Sequence, residues 1–381
     1  MSRPSGTDGP RVLAFADGAE SLVAACRVHA PLAELRRQGL IAGYVVTDHT
    51  LHGLPRSGRF DVVWLQRAVD PTLAHILAER LEGRFLLDVD DHLLCRPAYI
   101  EPRSFPRDRG VRRALAACRV LTVPTRRLAS LLAARSGEDL AGKALTCPNA
   151  VDFPEAPLRV PARPSGIVLT QGHRLALTVS RNEVLGAVVD CARHHGLPVH
   201  YYGSPLSPSE DAVGFARIAR PAGVLSYADY HEVLAASPAL MGVAPLETVG
   251  DPDTVEFVSG KSDIKMVELG GYGHPSVYSR ALPYVESDLS CGRLAENTYE
   301  SWSAALRDVL EGSWAQLADE QRRVREKRSL QRVARERWWP AMQAATLERP
   351  VDVASMIGRS HRARSRLDAA SARVRWHLRR H

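Results

Sequence analysis

The sequence lacks several features that define specialised classes of protein. It contains no run of about 18 or more apolar residues, the length that a membrane-spanning helix needs. Its first residues, MSRPSGTDGPRVLAF, are polar and lack the apolar core of a secretory signal. We therefore expect a cytoplasmic protein.

Cysteine is sparse and scattered. The six cysteines form no C-x-x-C pair and no Cys/His spacing that would build a zinc site. Reduced, mostly buried thiols are the expected state of such residues. No short internal repeat of solenoid period is present either. The sequence therefore predicts no metal site and no repeat array.

The composition is that of a globular protein. The chain has 381 residues, of which 45% are hydrophobic and 24% are charged. This length suits two domains of roughly 150 to 200 residues each. Two domains imply a cleft between them, where a ligand could bind.

The formal net charge is +7, which suits nucleic acid, anionic lipid or phosphorylated substrates. We predict that the C-terminal tail is a solvated basic helix, with a peripheral contact to an anionic inner membrane face or an acidic partner as alternatives. Specific nucleic-acid binding is a weaker alternative, because no recognised module is present. From about residue 357 onward, the tail contains a single acidic residue, Asp368. Its arginines are Arg359, Arg362, Arg364, Arg366, Arg373, Arg375, Arg379 and Arg380.

Short apolar runs alternate with helical segments along most of the chain. The first half contains RVLAFAD, IAGYVVTD, FDVVWLQR and RFLLDVDD, and the second half contains GIVLTQG, LPVHYYGS, PALMGVAPLE and HPSVYSRA. This alternation is typical of parallel sheets flanked by helices. We predict an α/β protein with two doubly wound, Rossmann-like domains that face a central cleft.

A proline-rich segment, ALTCPNAVDFPEAPLRVPARPSG, separates the two halves and is typical of a linker. We expect an N-terminal domain over 1–155, a second domain over 156–330, a helix over 331–350 that returns to the first domain, and a basic tail over 351–381. Ligands of open α/β sheets lie beyond the carboxyl ends of the strands. This rule places along one cleft Asp88 to Asp91, Gly172 to Arg174, Gly203, and Pro245 to Glu247.

The most informative segment is SGKSDIKMVELGGYGHPSVYS, residues 259–279. If Ser259 or Gly260 caps a helix, Lys261 lies in its first turn, Lys265 one turn later and Glu268 on the same side. A helix N-terminus with two ammonium groups suits a diphosphate, and the carboxylate suits sugar hydroxyls. The alternative is an ordinary amphipathic helix with Lys–Glu pairs.

This segment resembles the donor-site signature of retaining glycosyltransferases of family 4, in the GT-B superfamily. MGVAPLE is similar to the strand and turn upstream of that signature, and RVHAPLAELRRQG, FDVVWLQR, RFLLDVDDHLL and LTCPNAVD resemble N-terminal pieces of the family. The resemblance covers most of residues 11–345. It implies a GT-B fold with C-terminal helices that pack back toward the first domain. It also implies a retaining hexosyl- or deoxyhexosyltransferase that uses a nucleotide-diphosphate sugar.

The resemblance also implies roles for individual residues. Lys261 contacts the donor diphosphate, and Glu268 contacts the nucleotide ribose. The family has an acid eight residues before that glutamate, where this chain has Gly260, so recognition of the transferred sugar departs from the pattern. The further donor-side residues are Lys265, Gly172 and Arg174 at the diphosphate, and Gly203, Pro245 and Leu246 at the nucleotide. On the acceptor side, the resemblance places Arg27 on a cleft-facing turn, and the position of Gln66 and Arg67 after the strand VVWL makes them further candidates.

The run RFLLDVDDHLL supplies candidate acids. Cations at the diphosphate lower the barrier without a metal or another cofactor, and Lys261 is the candidate for this role. Asp90 or Asp91 would then serve as the base for a hydroxyl of a saccharide, a lipid-linked acceptor or a small natural product. In one alternative, Asp88 and Asp90 form the metal-binding D-x-D of single-domain GT-A transferases. In others, Asp90 or Asp91 caps the next turn, or the chain is a non-catalytic GT-B-like binding or scaffold protein.

Overall fold

A computed structural model describes residues 9–18, 20–48, 58–67, 71–101, 108–155, 163–170, 175–204, 206, 211–312 and 314–352. The described residues form two compact units. Unit 1 draws on the ranges Met1–Leu94, Pro106–Cys147 and Val333–His381. Unit 2 draws on Cys95–Phe105 and Pro148–Arg332.

Unit 1 contains a six-stranded parallel sheet in the order β2-β1-β3-β4-β5-β6. The strands β3, β4 and β5 are buried along their whole length, as expected inside a parallel sheet that is covered on both faces. The bounds are β1 Arg11–Ala16, β2 Gly43–Asp48, β3 Val62–Gln66, β4 Leu86–Asp88, β5 Val120–Val123 and β6 Ala144–Thr146. Strand β6 lies inside the segment that the sequence predicted to be a linker, so that prediction was wrong at its start.

The helices of unit 1 connect these parallel strands and cover the sheet. Two π-helical segments, Ala25–His29 and Ala334–Trp338, interrupt its α-helices. Thr125 caps α5, and Gly137 ends it in a left-handed conformation with φ of 76°. The α-helices are α1 Leu22–Ala24, α2 Ala30–Arg37, α3 Pro71–Arg80, α4 Asp108–Ala117, α5 Arg126–Ser136 and, after the second π segment, α15 Trp339–Ala345.

The last described helix belongs to unit 1. Helix α15 contacts β3, β4 and β5, and Val351 forms an antiparallel bridge with Phe60. Met342 on α15 is buried, as is Leu347 beyond it. The expectation that the C-terminal helices pack back onto the first domain is therefore confirmed.

Unit 2 contains a second six-stranded parallel sheet, in the order β12-β11-β10-β7-β8-β9. Four of its strands match predicted runs, whereas β9 and β12 escaped prediction because they are edge strands with little apolar pattern. The bounds are β7 Ile167–Thr170, β8 Val199–Tyr202, β9 Ala219–Gly223, β10 Met241–Ala244, β11 Ser276–Ser279 and β12 Arg293–Ala295. Each sheet has helices in its crossover connections, so the prediction of two Rossmann-like units is confirmed.

The helices of unit 2 begin at side-chain caps in several places, including Ser226 before α8, Asp251 before α9 and Thr298 before α12. No helix among the described ranges is long and apolar enough to cross a membrane. The basic tail from 353 onward lies outside the described residues. The bounds are α6 Arg181–His195, α7 Phe215–Ile218, α8 Tyr227–Ala236, α9 Pro252–Ser259, α10 Ile264–Gly271, α11 Leu282–Val285, α12 Tyr299–Glu311, α13 Leu317–Arg328 and α14 Leu330–Val333.

Candidate functional site

The segment 259–279 folds differently from the prediction at its start. Helix α9 ends at Ser259, and Gly260 is its C-cap; the next helix, α10, begins only at Ile264. Lys261 therefore lies in the short loop between two helices, with its ammonium 4.8 Å from the centre of the Phe257 ring. The prediction that Lys261 lies in the first helical turn was wrong, because the chain turns at Gly260 instead of starting a helix there.

Lys265 and Glu268 occupy one face at the start of α10. The Lys265 ammonium lies 2.7 Å from Oε2 of Glu268, and the two residues are three positions apart. The Tyr230 hydroxyl, from α8, donates a 3.1 Å hydrogen bond to the same oxygen. The ammonium also lies 4.8 Å from the centre of the Tyr230 ring. The loop before α10 and the first two turns of that helix thus carry two lysines and one carboxylate.

The turn after β10 is fixed by polar side chains from neighbouring segments. The amide of Leu246 donates to Oγ of Ser279 at 2.9 Å. The side-chain amide of Asn297 donates to the Leu246 carbonyl at 2.7 Å. Pro245 and Leu246 are buried, and the backbone amide and carbonyl of Leu246 are both held by these side chains. The sequence did not identify Asn297 as a site residue. The only sequence signal that could have done so is its position just after the strand β12.

Glu247 has a structural role beside that turn. Its carboxylate accepts hydrogen bonds from the amides and hydroxyls of Thr178 and Ser180, just before α6. Burial acts to raise the pKa of Glu247, but the hydrogen bonds from Ser180 and Thr178 outweigh it, so the pKa lies below its ordinary value. The carboxylate therefore holds the entry to α6 as an anion.

Helix α13 holds both ends of α10. Arg325 and Gln321 donate hydrogen bonds to the Gly271 carbonyl at its C-terminal end. Arg328 forms a 3.1 Å ion pair with Asp263, the N-cap residue of α10. These contacts fix the orientation of the helix that carries Lys265. The charged pattern of α13 gave no sign of this role, because it predicts only a polar surface.

The other residues predicted to lie on the donor side differ in how far the structure describes them. Gly172 and Arg174 lie outside the described residues. Gly203 directly follows β8, and its amide donates to the carbonyl of Gly223 at 3.1 Å. Tyr202, at the end of β8, packs edge-on against Tyr230 with ring centres 6.3 Å apart. Gly203 thus lies one residue from the ring that contacts Tyr230.

In unit 1, Arg67 gathers acids at the carboxyl ends of three adjacent strands. Its guanidinium forms a two-point ion pair with Asp90, at 2.7 and 3.1 Å. It also lies 2.9 Å from Asp91 and 3.6 Å from Asp17. In the structure, the Arg67 guanidinium forms ion pairs with carboxylates of its own unit. A contact between Arg67 and an acceptor remains a prediction.

Arg27 and Asp88 form a buried ion pair beneath that cluster. The guanidinium bonds both Asp88 oxygens and the Cys147 carbonyl, and it lies 4.6 Å from the centre of the Trp338 ring. Arg27 is 2% exposed and Asp88 is fully buried. Burial raises the pKa of Asp88, although Arg27 opposes that shift. The prediction of a cleft-facing Arg27 is therefore wrong, because its side chain is buried in this pair.

The alternative that Asp88 and Asp90 form the D-x-D of a single-domain GT-A transferase is wrong, because the chain forms two units with a parallel sheet in each. Asp88 is paired with the guanidinium of Arg27 and Asp90 with that of Arg67, so each carboxylate already has an arginine partner. Gln66 is buried as well, and its Oε1 accepts from the Asp17 amide at 3.0 Å. The base assigned to Asp90 or Asp91 lies in unit 1 and Lys261 in unit 2, so their joint catalytic role stays a prediction.

Comparisons with known proteins give fold likeness only. No family model matches the sequence, and no curated protein matches it. Among solved structures, HepE of Anabaena in complex with UDP-glucose is similar, with a TM-score of 0.57, 11% identity, and coverage of 86% of this chain and 98% of that chain. The chain has the GT-B fold.

Two further structures support the same conclusion. Sucrose-phosphate synthase of Thermosynechococcus elongatus has a TM-score of 0.57 and 11% identity, and the match covers 86% of this chain and 96% of that chain. A structure described as a UDP-N-acetylglucosamine 2-epimerase, from Listeria monocytogenes, has a TM-score of 0.53 and 13% identity, with coverage of 86% and 94%. These GT-B proteins differ in reaction, so the fold leaves the chemistry to the site residues.

Proposed function

We propose that this protein is a glycosyltransferase that moves a sugar from a nucleotide-diphosphate donor to a hydroxyl acceptor, with retention of anomeric configuration and without a metal. Unit 2 would bind the donor and unit 1 the acceptor. The observation that carries the proposal is the arrangement of Lys261, Lys265 and Glu268 around the start of α10. HepE, which shares the fold, binds UDP and UDP-glucose in its crystals.

The charges at α10 suit a nucleotide diphosphate. Helix α10 leads into β11, so its N-terminus points toward the carboxyl edge of the parallel sheet. Ammonium groups at a helix N-terminus oppose the charge of a diphosphate, and the helix dipole acts in the same direction. Lys261 supplies one such group from the preceding loop, and Lys265 supplies another from the first turn. Glu268, one turn later, suits the hydroxyls of a ribose.

The proposed reaction breaks the bond between the anomeric carbon and the diphosphate oxygen while the acceptor oxygen bonds to that carbon on the same face. Negative charge grows on the departing diphosphate, and fixed cations lower the barrier most at that point. Lys261 would stabilise this charge. The acceptor proton would pass to Asp90 or Asp91, whose carboxylates Arg67 holds in place.

The competing function is a non-catalytic GT-B-like protein that binds nucleotide sugars or scaffolds a partner. Gly260 favours it, because this residue stands where the family has an acid at the transferred sugar. Here Gly260 serves as the C-cap of α9, and its amide donates to the carbonyls of Glu256 and Phe257. Such a protein would bind the donor and release no product.

A thermal-shift screen tests the donor proposal. Nucleoside diphosphates of uridine, guanosine and thymidine, and their sugars, should raise the melting temperature selectively, because a ligand that binds the native state stabilises it. A flat response to all of them would contradict a donor site. With the donor identified, turnover with an acceptor extract in the presence of a chelator supports the transferase, whereas tight binding without turnover supports the non-catalytic protein.

Two variants separate the proposed roles. Lys261→Ala should abolish donor hydrolysis and transfer, whereas Arg322→Ala, on the exposed face of α13, should leave both unchanged. Asp91→Asn should keep nucleotide binding and lose transfer. Equal turnover by wild type and Lys261→Ala would remove the lysine from the mechanism, and an active Asp91→Asn variant would remove that carboxylate.

A further inference from the structure

The carboxylate of Glu268 uses its two oxygens unequally. Oε2 receives hydrogen bonds from the Tyr230 hydroxyl at 3.1 Å and the Lys265 ammonium at 2.7 Å. Among the described residues, no side chain donates to Oε1. Glu268 is 5% exposed, so this geometry is set by neighbours and not by bulk water. Both side-chain hydrogen bonds thus end on the same oxygen of the carboxylate.

Tyr230 is placed to fix this geometry. It is a buried residue of α8, and its ring packs against Tyr202 and His231. Burial and the nearby Glu268 carboxylate raise the pKa of Tyr230 well above its ordinary value, so the hydroxyl keeps its proton. The protonated hydroxyl therefore acts as the donor in its hydrogen bond to the Glu268 carboxylate. The oxygen of the same hydroxyl accepts a long 3.4 Å hydrogen bond from the Lys265 ammonium.

We propose that Tyr230 is a positioning residue for a ribose site, and that it acts by fixing Oε2 of Glu268 so that Oε1 accepts hydrogen bonds from the ribose hydroxyls. The proposal rests on the function proposed above. It adds a residue outside the signature segment, on a helix that contributes nothing else to the predicted site. The ring of Tyr230 also contacts the Lys265 ammonium, so the same side chain positions both the carboxylate and the ammonium group.

The test uses Tyr230→Phe in the full chain, because phenylalanine keeps the ring and removes only the hydroxyl. Calorimetry measures the affinities for UDP and for 2′,3′-dideoxy-UDP, which lacks the ribose hydroxyls. We expect the variant to bind UDP about tenfold more weakly, the effect of one hydrogen bond to a charged group. The affinity for the dideoxy nucleotide should change little. Tyr227→Phe, one turn earlier on α8 and with its ring centre 4.3 Å from that of His231, is the matched control.

The outcomes separate this proposal from the function on which it rests. If wild type binds no nucleoside diphosphate, the proposed function fails. If wild type binds UDP and Tyr230→Phe binds it equally well, or loses affinity for both nucleotides equally, the positioning role is overturned.

A double-variant cycle adds a second criterion that does not depend on Tyr230→Phe alone. Glu268→Gln keeps the shape of the side chain and removes its charge. Because Tyr230 acts through Glu268, the double variant should bind UDP no more weakly than Glu268→Gln by itself. Additive losses in the double variant would contradict the proposal, and the melting temperature of each variant verifies that it is folded.

Discussion

Arg67 and Asp90 form a two-point ion pair, with Nε 2.7 Å from Oδ1 and Nη2 3.1 Å from Oδ2. The arginine adopts a left-handed backbone conformation with φ of 70°, which ordinary side chains rarely occupy. Its amide also donates to the carbonyl of Asp88 at 2.8 Å. The strained conformation thus aims the guanidinium at acids that follow the neighbouring strand.

Two substitutions of Arg67 should distinguish the contribution of its ion pairs to stability from the cost of its strained backbone. Arg67→Met should destabilise the protein by about 1–3 kcal/mol, because Asp90 and Asp91 lose their partner in a partly buried site. Arg67→Gly loses the same pair but relieves the left-handed strain, so it should be about 1 kcal/mol more stable than Arg67→Met. Urea unfolding measures both. A methionine variant as stable as wild type would show that the pair contributes nothing.

The buried pair of Arg27 and Asp88 should be far more sensitive than an exposed one. Arg27→Met leaves a buried carboxylate without its cation, and we expect a loss of about 3–5 kcal/mol. The double variant Arg27→Met/Asp88→Leu should recover part of that loss, because no buried charge remains. Thermal and urea unfolding report both changes, and the control Arg322→Ala should stay within about 0.5 kcal/mol of wild type. A double variant less stable than the single one would contradict the explanation.

Glu247 should make the stability of unit 2 depend on acid pH. Its folded pKa lies below the ordinary value of 4.5. Its stabilising effect is therefore complete above about pH 4.5 and is lost as the pH falls through the folded pKa. Glu247→Gln should cost about 2 kcal/mol at pH 7. Urea midpoints measured between pH 7 and pH 3 should converge for the two proteins; a constant difference would assign the effect to packing.

Gly271 should not tolerate a side chain. A Cβ there would lie 2.2 Å from the ring of Phe153, although alanine favours a helix by up to about 1 kcal/mol. Overpacking costs more, so Gly271→Ala should destabilise the protein by about 1–3 kcal/mol. Phe153→Leu should partly rescue it, and Gly186→Ala, inside helix α6 and with its nearest contact at 3.6 Å, is the matched control. Melting temperatures decide between clash and helix propensity.

Local pattern predicted the strands and helices that have strong apolar periodicity, and it failed where the chain has little of it. Strand β9, ARPAG, contains a proline, two alanines and a glycine, and β12 is three residues long. The start of helix α10 was also predicted too early. A lysine-rich segment after a serine suits a capped helix, but the chain ends one helix at Gly260 before starting the next.

The sequence by itself determined the alternation of strands and helices, and the three-residue spacing that brings Lys265 to Glu268. Both follow from contacts between residues close in the chain, which propensity and periodicity can predict. Only the tertiary structure decided the partners of the buried charges. Arg27 meets Asp88 across 61 positions, Arg67 meets Asp90 across 23, and Tyr230 meets Glu268 across 38. Such pairs depend on strand order and helix packing, which no local pattern records.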